Sequence, residues 1–312
     1  MLSDTAGEDE IARQLPESGE IFLDHVGHFV RDPKAAADAL ARTGFTPTPV
    51  SMQVNPDGTG REKPTGTGNI CAMLSRGYVE CLFKTADTSL AHELEKSIER
   101  FPGVHLVAFA VHEAGAAHAR LQREGFRTRP LVSMQRPVTT QAGRDVAAFT
   151  VVRVESGEMA EGRIQMLHHR TENTVWQPRW LDHPNGALGL LDVVIETADP
   201  NEAATRYARF VGRRSKSNAY GHSIQLNRGR VQLTSRQTMR GILPDGPDLP
   251  PPFIGVYAIR VRSLEHLRRR LHEYGLAFVR RERVVFAPFP EKLGVGTWAF
   301  VETPADLPWR AS

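Results

Sequence analysis

The chain has 312 residues, a formal net charge of +3 and only two cysteines. That length suits about two domains. No apolar run is long enough for a membrane span, and the first twenty residues lack the basic start and apolar middle of a secretory leader. Cys71 and Cys81 lie in apolar runs and read as buried, reduced thiols rather than a disulfide or zinc pair. A cytoplasmic protein is expected. Arg268, Arg269, Arg270, Arg280, Arg281 and Arg283 crowd the C-terminal part. No recognition motif accompanies them, so they read as a solvated face and not as a nucleic-acid surface.

Residues 1–20 read as a flexible tail. Phe22 to Val30 then form a strand in which Leu23, His25, Gly27 and Phe29 share one face. Asp32 is a good helix cap and Pro33 a good first helical residue; the helix should stop at Gly44. Residues 52–54 could be a strand. Asn55 to Gly68 is polar and rich in Gly and Pro, and suggests a mobile lid or loop tip. Strands at 70–74 and 78–83 complete the unit. A connecting helix from Thr88 to Arg100 ends at Pro102-Gly103.

The same plan recurs. A second unit has a strand at 104–111, a helix stopping at Gly125, and strands at 146–154 and 163–168. Residues 171–187 form a linker whose Trp176 and Trp180 should pack on the body, since large aromatics bury much apolar area. A third unit opens at 190–195, with Asp199-Pro200 as cap and Gly212 as stop. A fourth has a strand at 254–261, the cap Ser263 and a helix ending at Gly275. Four such units amount to an internal repeat. The expected fold is α+β: four tandem βαβββ modules, paired into two cupped, barrel-like mixed sheets. Residues 21–170 should form one domain and 188–302 the other, with 303–312 a C-terminal tail.

One polar residue stands at the inward position of each of four strands in the first half. His25 and Glu80 are 55 residues apart, and His105 and Gln165 are 60 apart. Two imidazoles, a carboxylate and an amide oxygen make a nitrogen and oxygen site for a divalent metal such as Zn²⁺, Fe²⁺, Ni²⁺ or Mn²⁺. In the second half the counterparts are Asp192, Gln232 and Gly255, which points to a degenerate site there.

The four-unit plan, with Leu23-Asp24-His25-Val26, Gly77-Tyr78-Val79-Glu80-Cys81-Leu82 and Gly103-Val104-His105-Leu106, resembles the vicinal oxygen chelate superfamily. Gly66-Thr67-Gly68-Asn69 and the Trp176 to Ala187 segment are similar to bacterial glyoxalase-like-domain proteins. The resemblance implies that a metal held by His25, Glu80, His105 and Gln165 chelates paired oxygens of a small-molecule substrate. Gln165 stands where a glyoxalase has a glutamate that serves as ligand and base, and a neutral amide cannot take a proton. Glu80 and His169 are then the candidate bases. The expectation is a glyoxalase-like lyase or isomerase. A ring-cleaving Fe(II) dioxygenase and a binding or resistance protein with a vestigial site are the alternatives. No nucleic acid or membrane partner is expected; a homodimer is possible.

Overall fold

The computed structural model describes residues 11–56, 59, 61–243 and 246–310. Four βαβββ units follow one another. The first comprises β1 (Ile21–Phe29), α1 (Pro33–Arg42), β2 (Ser51–Pro56), β3 (Glu62–Met73) and β4 (Tyr78–Lys84). Helix α2 (Ser89–Arg100) leads to the second: β5 (Gly103–Val111), α3 (Ala114–Arg123), β6 (Val132–Thr140), β7 (Gly143–Arg153) and β8 (Arg163–His169). A short helical turn, α4 (Glu172–Val175), opens the linker. The third unit has β9 (Ala187–Glu196), α5 (Pro200–Val211), β10 (Ser215–Asn218), β11 (Gly221–Gln225) and β12 (Arg230–Thr234), and is followed by α6 (Arg236–Ile242). The fourth has β13 (Phe253–Val261), α7 (Leu264–Glu273), β14 (Val279–Arg281), β15 (Val284–Pro288) and β16 (Thr297–Val301).

Caps and stops act as their residue types dictate. Asp32 accepts from Ala35 N, Ser263 from His266 N, and Gly212 ends α5 in the left-handed conformation at φ 66°. Units one and two close into a barrel in the order β1-β4-β3-β2-β6-β7-β8-β5. Units three and four make an open eight-stranded sheet, β10-β11-β12-β9-β13-β16-β15-β14. In each half the two first strands pair antiparallel and each runs parallel to the last strand of its own unit. The main core lies between the halves, where the outer faces of β1, β5, β9 and β13 meet helices α1, α3, α5 and α7. Tyr257 and His28 are joined there at 2.9 Å, and Arg206 makes a double ion pair with the buried Glu161 at 2.8 Å. Among the described residues no helix is long and apolar enough to cross a membrane.

The fold class expected from the sequence is therefore the observed one, with one sheet open rather than closed. Several local expectations need correction. Strand β6 went unseen because Pro137 lies within it; β6 meets β2 through a single bridge, Val54 to Gln135, where a missing N–H costs little. The lid expected over 55–68 is largely a strand arm: Pro56 pairs with Glu62, and β3 continues to Met73. Asp57, Gly58 and Gly60 of that stretch lie outside the described residues. The tails are anchored from residue 13 inward. Gln14 bonds Ser75 O, and the buried Arg228 donates to Arg13 O at 2.6 Å. At the other end Trp309 is 1% exposed. Residues 1–10, 311 and 312 lie outside the described residues. Both cysteines are free and buried.

Candidate functional site

The site begins with two bulges. Between β1 and β5 the register skips Asp24 (Leu23 faces Phe109, His25 faces Ala108) and then skips His105 (Gly27 faces Leu106, His28 faces Val104). A bulge places an extra residue in one strand and re-aims the residues around it. Past each bulge the next residue points into the barrel: His25 on β1 and Leu106 on β5, both lining the cavity. Simple alternation carried to His105 therefore fails. A correct signal was present in the sequence. Asp32 and Glu113, the caps, and Gly44 and Gly125, the stops, are each separated by 81 residues, and the same shift takes His25 to Leu106. Glu80 and Gln165 are true counterparts, facing Gly27 and Ala108 in equivalent parallel pairs.

Each barrel strand contributes to one cavity: His25 from β1, Gln53 from β2, Asn69 from β3, Glu80 from β4, Leu106 from β5, Arg136 from β6, Arg153 from β7 and Gln165 from β8. Tyr78, Met134, Phe149, Val151 and Leu167 supply apolar wall. His25 is 3% exposed and stacks on Tyr78 with ring centroids 4.3 Å apart. Its Nδ1 donates to Asp24 Oδ2 at 2.7 Å, which turns Nε2 toward Glu80 Oε2, 3.5 Å away. Glu80 Oε1 accepts from Asn69 Nδ2 at 2.6 Å. Gly77, the residue before β4, has φ 72° and lies so close to β1 that a Cβ there would sit 2.5 Å from Asp24 O; this close approach sets Tyr78 against His25.

Asp24 is fully buried. Burial by itself would raise its pKa, but the imidazoles of His169 and His25, both bonded to it, hold its carboxyl well below the ordinary carboxylate range. His169 Nε2 donates to Asp24 Oδ1 at 2.9 Å. His169 is packed under Trp176 and Phe149 and does not line the cavity. It is thus a second anchor for Asp24 and not a base in reach of a bound molecule. The linker tryptophan Trp176 packs as expected, 6% exposed.

His105 lies in an outer groove with Phe29, Arg100 and Arg129. Its Nε2 donates to Phe101 O at 2.6 Å, and its ring stacks on Phe101 at 4.2 Å. Burial, chiefly, pushes its pKa down to about 4 against that bond, with Arg100 and Arg163 adding to the fall. His105 is therefore a neutral, structurally engaged histidine outside the barrel.

The donor set for a metal follows from these placements. The four inward positions hold His25, Glu80, Leu106 and Gln165. The first two are strong donors with a spacing that suits one ion. Leu106 offers no donor atom, and Gln165 Oε1 accepts from Arg153 Nε at 3.1 Å. Among the described residues no three His, Cys, Asp or Glu side chains gather as a metal site. Two strong ligands, a committed amide and an adjacent guanidinium do not fit a resident divalent ion. The cations are what the sequence reading missed. Arg136 is 7% exposed and, among the described residues, has no carboxylate within ion-pairing reach. It sits on the strand that Pro137 concealed.

A family model described as a glyoxalase-like domain matches residues 23–211. No curated protein matches the sequence. Solved structures match in fold. A hypothetical protein from Staphylococcus aureus matches with TM-score 0.62 and 9% identity, over 90% of this chain and 98% of that one. A mutant of 4-hydroxymandelate synthase from Streptomyces coelicolor matches with TM-score 0.57 and 15% identity, over 90% and 92%. The Mn(II)-bound glyoxalase from Novosphingobium aromaticivorans matches with TM-score 0.53 and 12% identity, over 92% and 82%.

Proposed function

The chain belongs to the glyoxalase-like-domain family, within the vicinal oxygen chelate fold, and we propose that its barrel binds a small anionic, oxygenated molecule and transfers a proton on it without a resident metal. The observation that carries this reading is the Asp24–His25 pair, buried and aimed so that Nε2 opens on the cavity beside Glu80. A carboxylate bonded to Nδ1–H fixes the tautomer and supports the imidazolium that forms when Nε2 takes a proton.

Arg136 would hold the carboxylate of a 2-oxo acid or a related molecule in the low-dielectric cavity, where a charge-assisted pair is strong. His25 Nε2 would remove a proton from the carbon beside the carbonyl. The electron pair of the broken C–H bond moves onto the carbonyl oxygen, and the guanidinium of Arg136, which can span the adjacent carboxylate and carbonyl oxygens, stabilises that enolate. Glu80, held by Asn69, would exchange a proton with the oxygen or with the carbon on the other face. The Mn(II)-bound neighbour shares the fold; here Leu106 and Gln165 replace the donors that such a mechanism would need, and the same replacement weighs against an iron dioxygenase.

The test is deuterium exchange. Small 2-oxo acids are incubated with the protein in D₂O containing a chelator, and loss of the proton beside the carbonyl is followed by NMR. Exchange that persists with chelator and disappears in His25→Gln is expected. Binding without exchange for every acid tried would make the chain a binding protein instead. Exchange that requires added metal would overturn the metal-free reading.

A further inference from the structure

The far end of the barrel cavity holds a second group of cations. Arg153 ends β7 and faces Gln165; Arg163 lies two residues before Gln165 on the same face of β8. Both line the cavity and also the outer groove beyond it. Arg163 is 12% exposed, and Glu93 Oε2 stands 3.8 Å from its Nη2. Glu93 is already engaged by Arg129 at 2.9 Å, and Arg129 also reaches Glu155 at 3.3 Å. Two guanidiniums, Arg129 and Arg163, thus share the carboxylates of Glu93 and Glu155. Among the described residues Arg153 makes no ion pair: it is bonded to the neutral Gln165 amide, and Glu93 and Glu80 act on it only from beyond ion-pairing distance. Burial, and then the neighbouring Arg163, push its pKa down to about 9. A half-buried cation without a counter-charge is costly unless something supplies one.

Arg136 is not part of this group. It faces Ala147 on β7, six residues before Arg153. At about 3.4 Å per residue the two backbones are roughly 20 Å apart, so the side chains enter the cavity from opposite ends.

We infer that Arg153 and Arg163 form a second oxyanion seat, so that the barrel's ligand carries a negative group at each end. The inference rests on the anionic reading of the cavity and adds its substrate class: a dicarboxylate, or a carboxylate bearing a phosphate or phosphonate. Gln165 sets this specificity. A glutamate at the same position would neutralise Arg153 internally and close the seat.

Titration calorimetry of the full chain, in chelator, with butyrate, succinate and phosphonoacetate tests the seat. The doubly charged probes should bind on the order of tenfold to a hundredfold more tightly than butyrate, the contribution of one charge-assisted pair. Arg153→Gln should remove that preference and leave butyrate affinity within about twofold. Gln165→Glu should remove it too, by supplying an internal carboxylate without truncating any side chain. Whichever doubly charged probe gains more identifies the preferred oxyanion. Equal binding of all three probes, or equal losses for butyrate and succinate in Arg153→Gln, would overturn the second seat alone. If none of the three binds, the anionic cavity fails with it.

Discussion

The two halves share a scaffold and use its concave face in opposite ways. Bulges fall at Asp24 and His105 in the barrel and at Leu191 and Gly255 in the open sheet, each just before an inward position. In the barrel the inward residues are His25, Glu80, Leu106 and Gln165. In the open sheet they are Asp192, Gln232, Val256 and Ala299, by the same register. Asp192 does not face a cavity. Its carboxylate accepts from Trp309 Nε1 at 2.7 Å and from Arg310 at 2.9 and 2.5 Å. Trp309 and Leu307 fill the concavity against Val194, Val256, Ala258 and Val301. The chain's own C-terminal segment thus takes the place of a ligand. Strand lengths add to the difference: β2 and β6 have 6 and 9 residues and meet, whereas β10 and β14 have 4 and 3 and remain edges. One repeated geometry serves as a vessel in one half and as a packed core in the other, according to what fills four positions.

The sharpest way to break this comparison is a matched pair of substitutions. His25→Ala should reduce proton exchange about 10²–10⁴-fold, the usual worth of a general base, with the fold retained. Asp192→Ala should leave exchange intact but lower unfolding stability by about 3–5 kcal/mol, because it removes the buried carboxylate shared by Trp309 and Arg310. Denaturant melts and the exchange assay read both. The opposite pattern would put the chemistry in the wrong half.

Trp309→Ala tests the plug itself. A loss of about 3–5 kcal/mol is expected for emptying that volume, again with exchange preserved. An unchanged melt would show that the segment only rests on the sheet.

A gain of function addresses the barrel's missing donors. The wild-type protein, purified without chelator, should carry well below one equivalent of Zn²⁺ or Mn²⁺ by elemental analysis. The triple variant Leu106→His, Gln165→Glu, Arg153→Gln completes four inward donors, removes the guanidinium that would otherwise pair with the new carboxylate, and should take up about one equivalent. Stoichiometric metal in the wild type, or none in the triple variant, would contradict the donor-set argument.

The smallest expected effects concern pH, and they have opposite signs in the two halves. Asp24 has a depressed pKa, so its stabilisation is full above the ordinary carboxylate value of 3.8 and is lost as pH falls toward its lower folded value. Glu196, 4% exposed on β9, is pushed up to about 7 by burial, against the pull of Arg236 and Arg240. Its contribution is full below the ordinary value of 4.5 and is lost as pH rises toward about 7. Urea melts from pH 3 to 8 should show Asp24→Asn flattening the acid limb and Glu196→Gln flattening the decline toward neutrality. A variant that flattens the other limb would refute the assignment.

The sequence by itself determined the four units, because each carries local signals that need no partner: an apolar strand, an Asp or Ser cap, an amphipathic helix, a glycine stop. It also determined His25 and Glu80 as neighbours, since equivalent positions in repeated units occupy equivalent places. It did not determine which residue follows a bulge. A bulge arises from how two strands pair, so His105 and Leu106 exchange roles only when β1 meets β5. Strand β6, and with it Arg136, was hidden by Pro137, which is tolerated because of where the strand lies in the barrel. Asp24 looked like an outward residue until β8 brought His169 to its other oxygen. Arg153 came to face a neutral amide and not a carboxylate only through its placement beside Gln165, and the C-terminal segment became a plug only when the second sheet offered it a concave face. Local chemistry writes the elements; register and closure decide which side chains share a cavity.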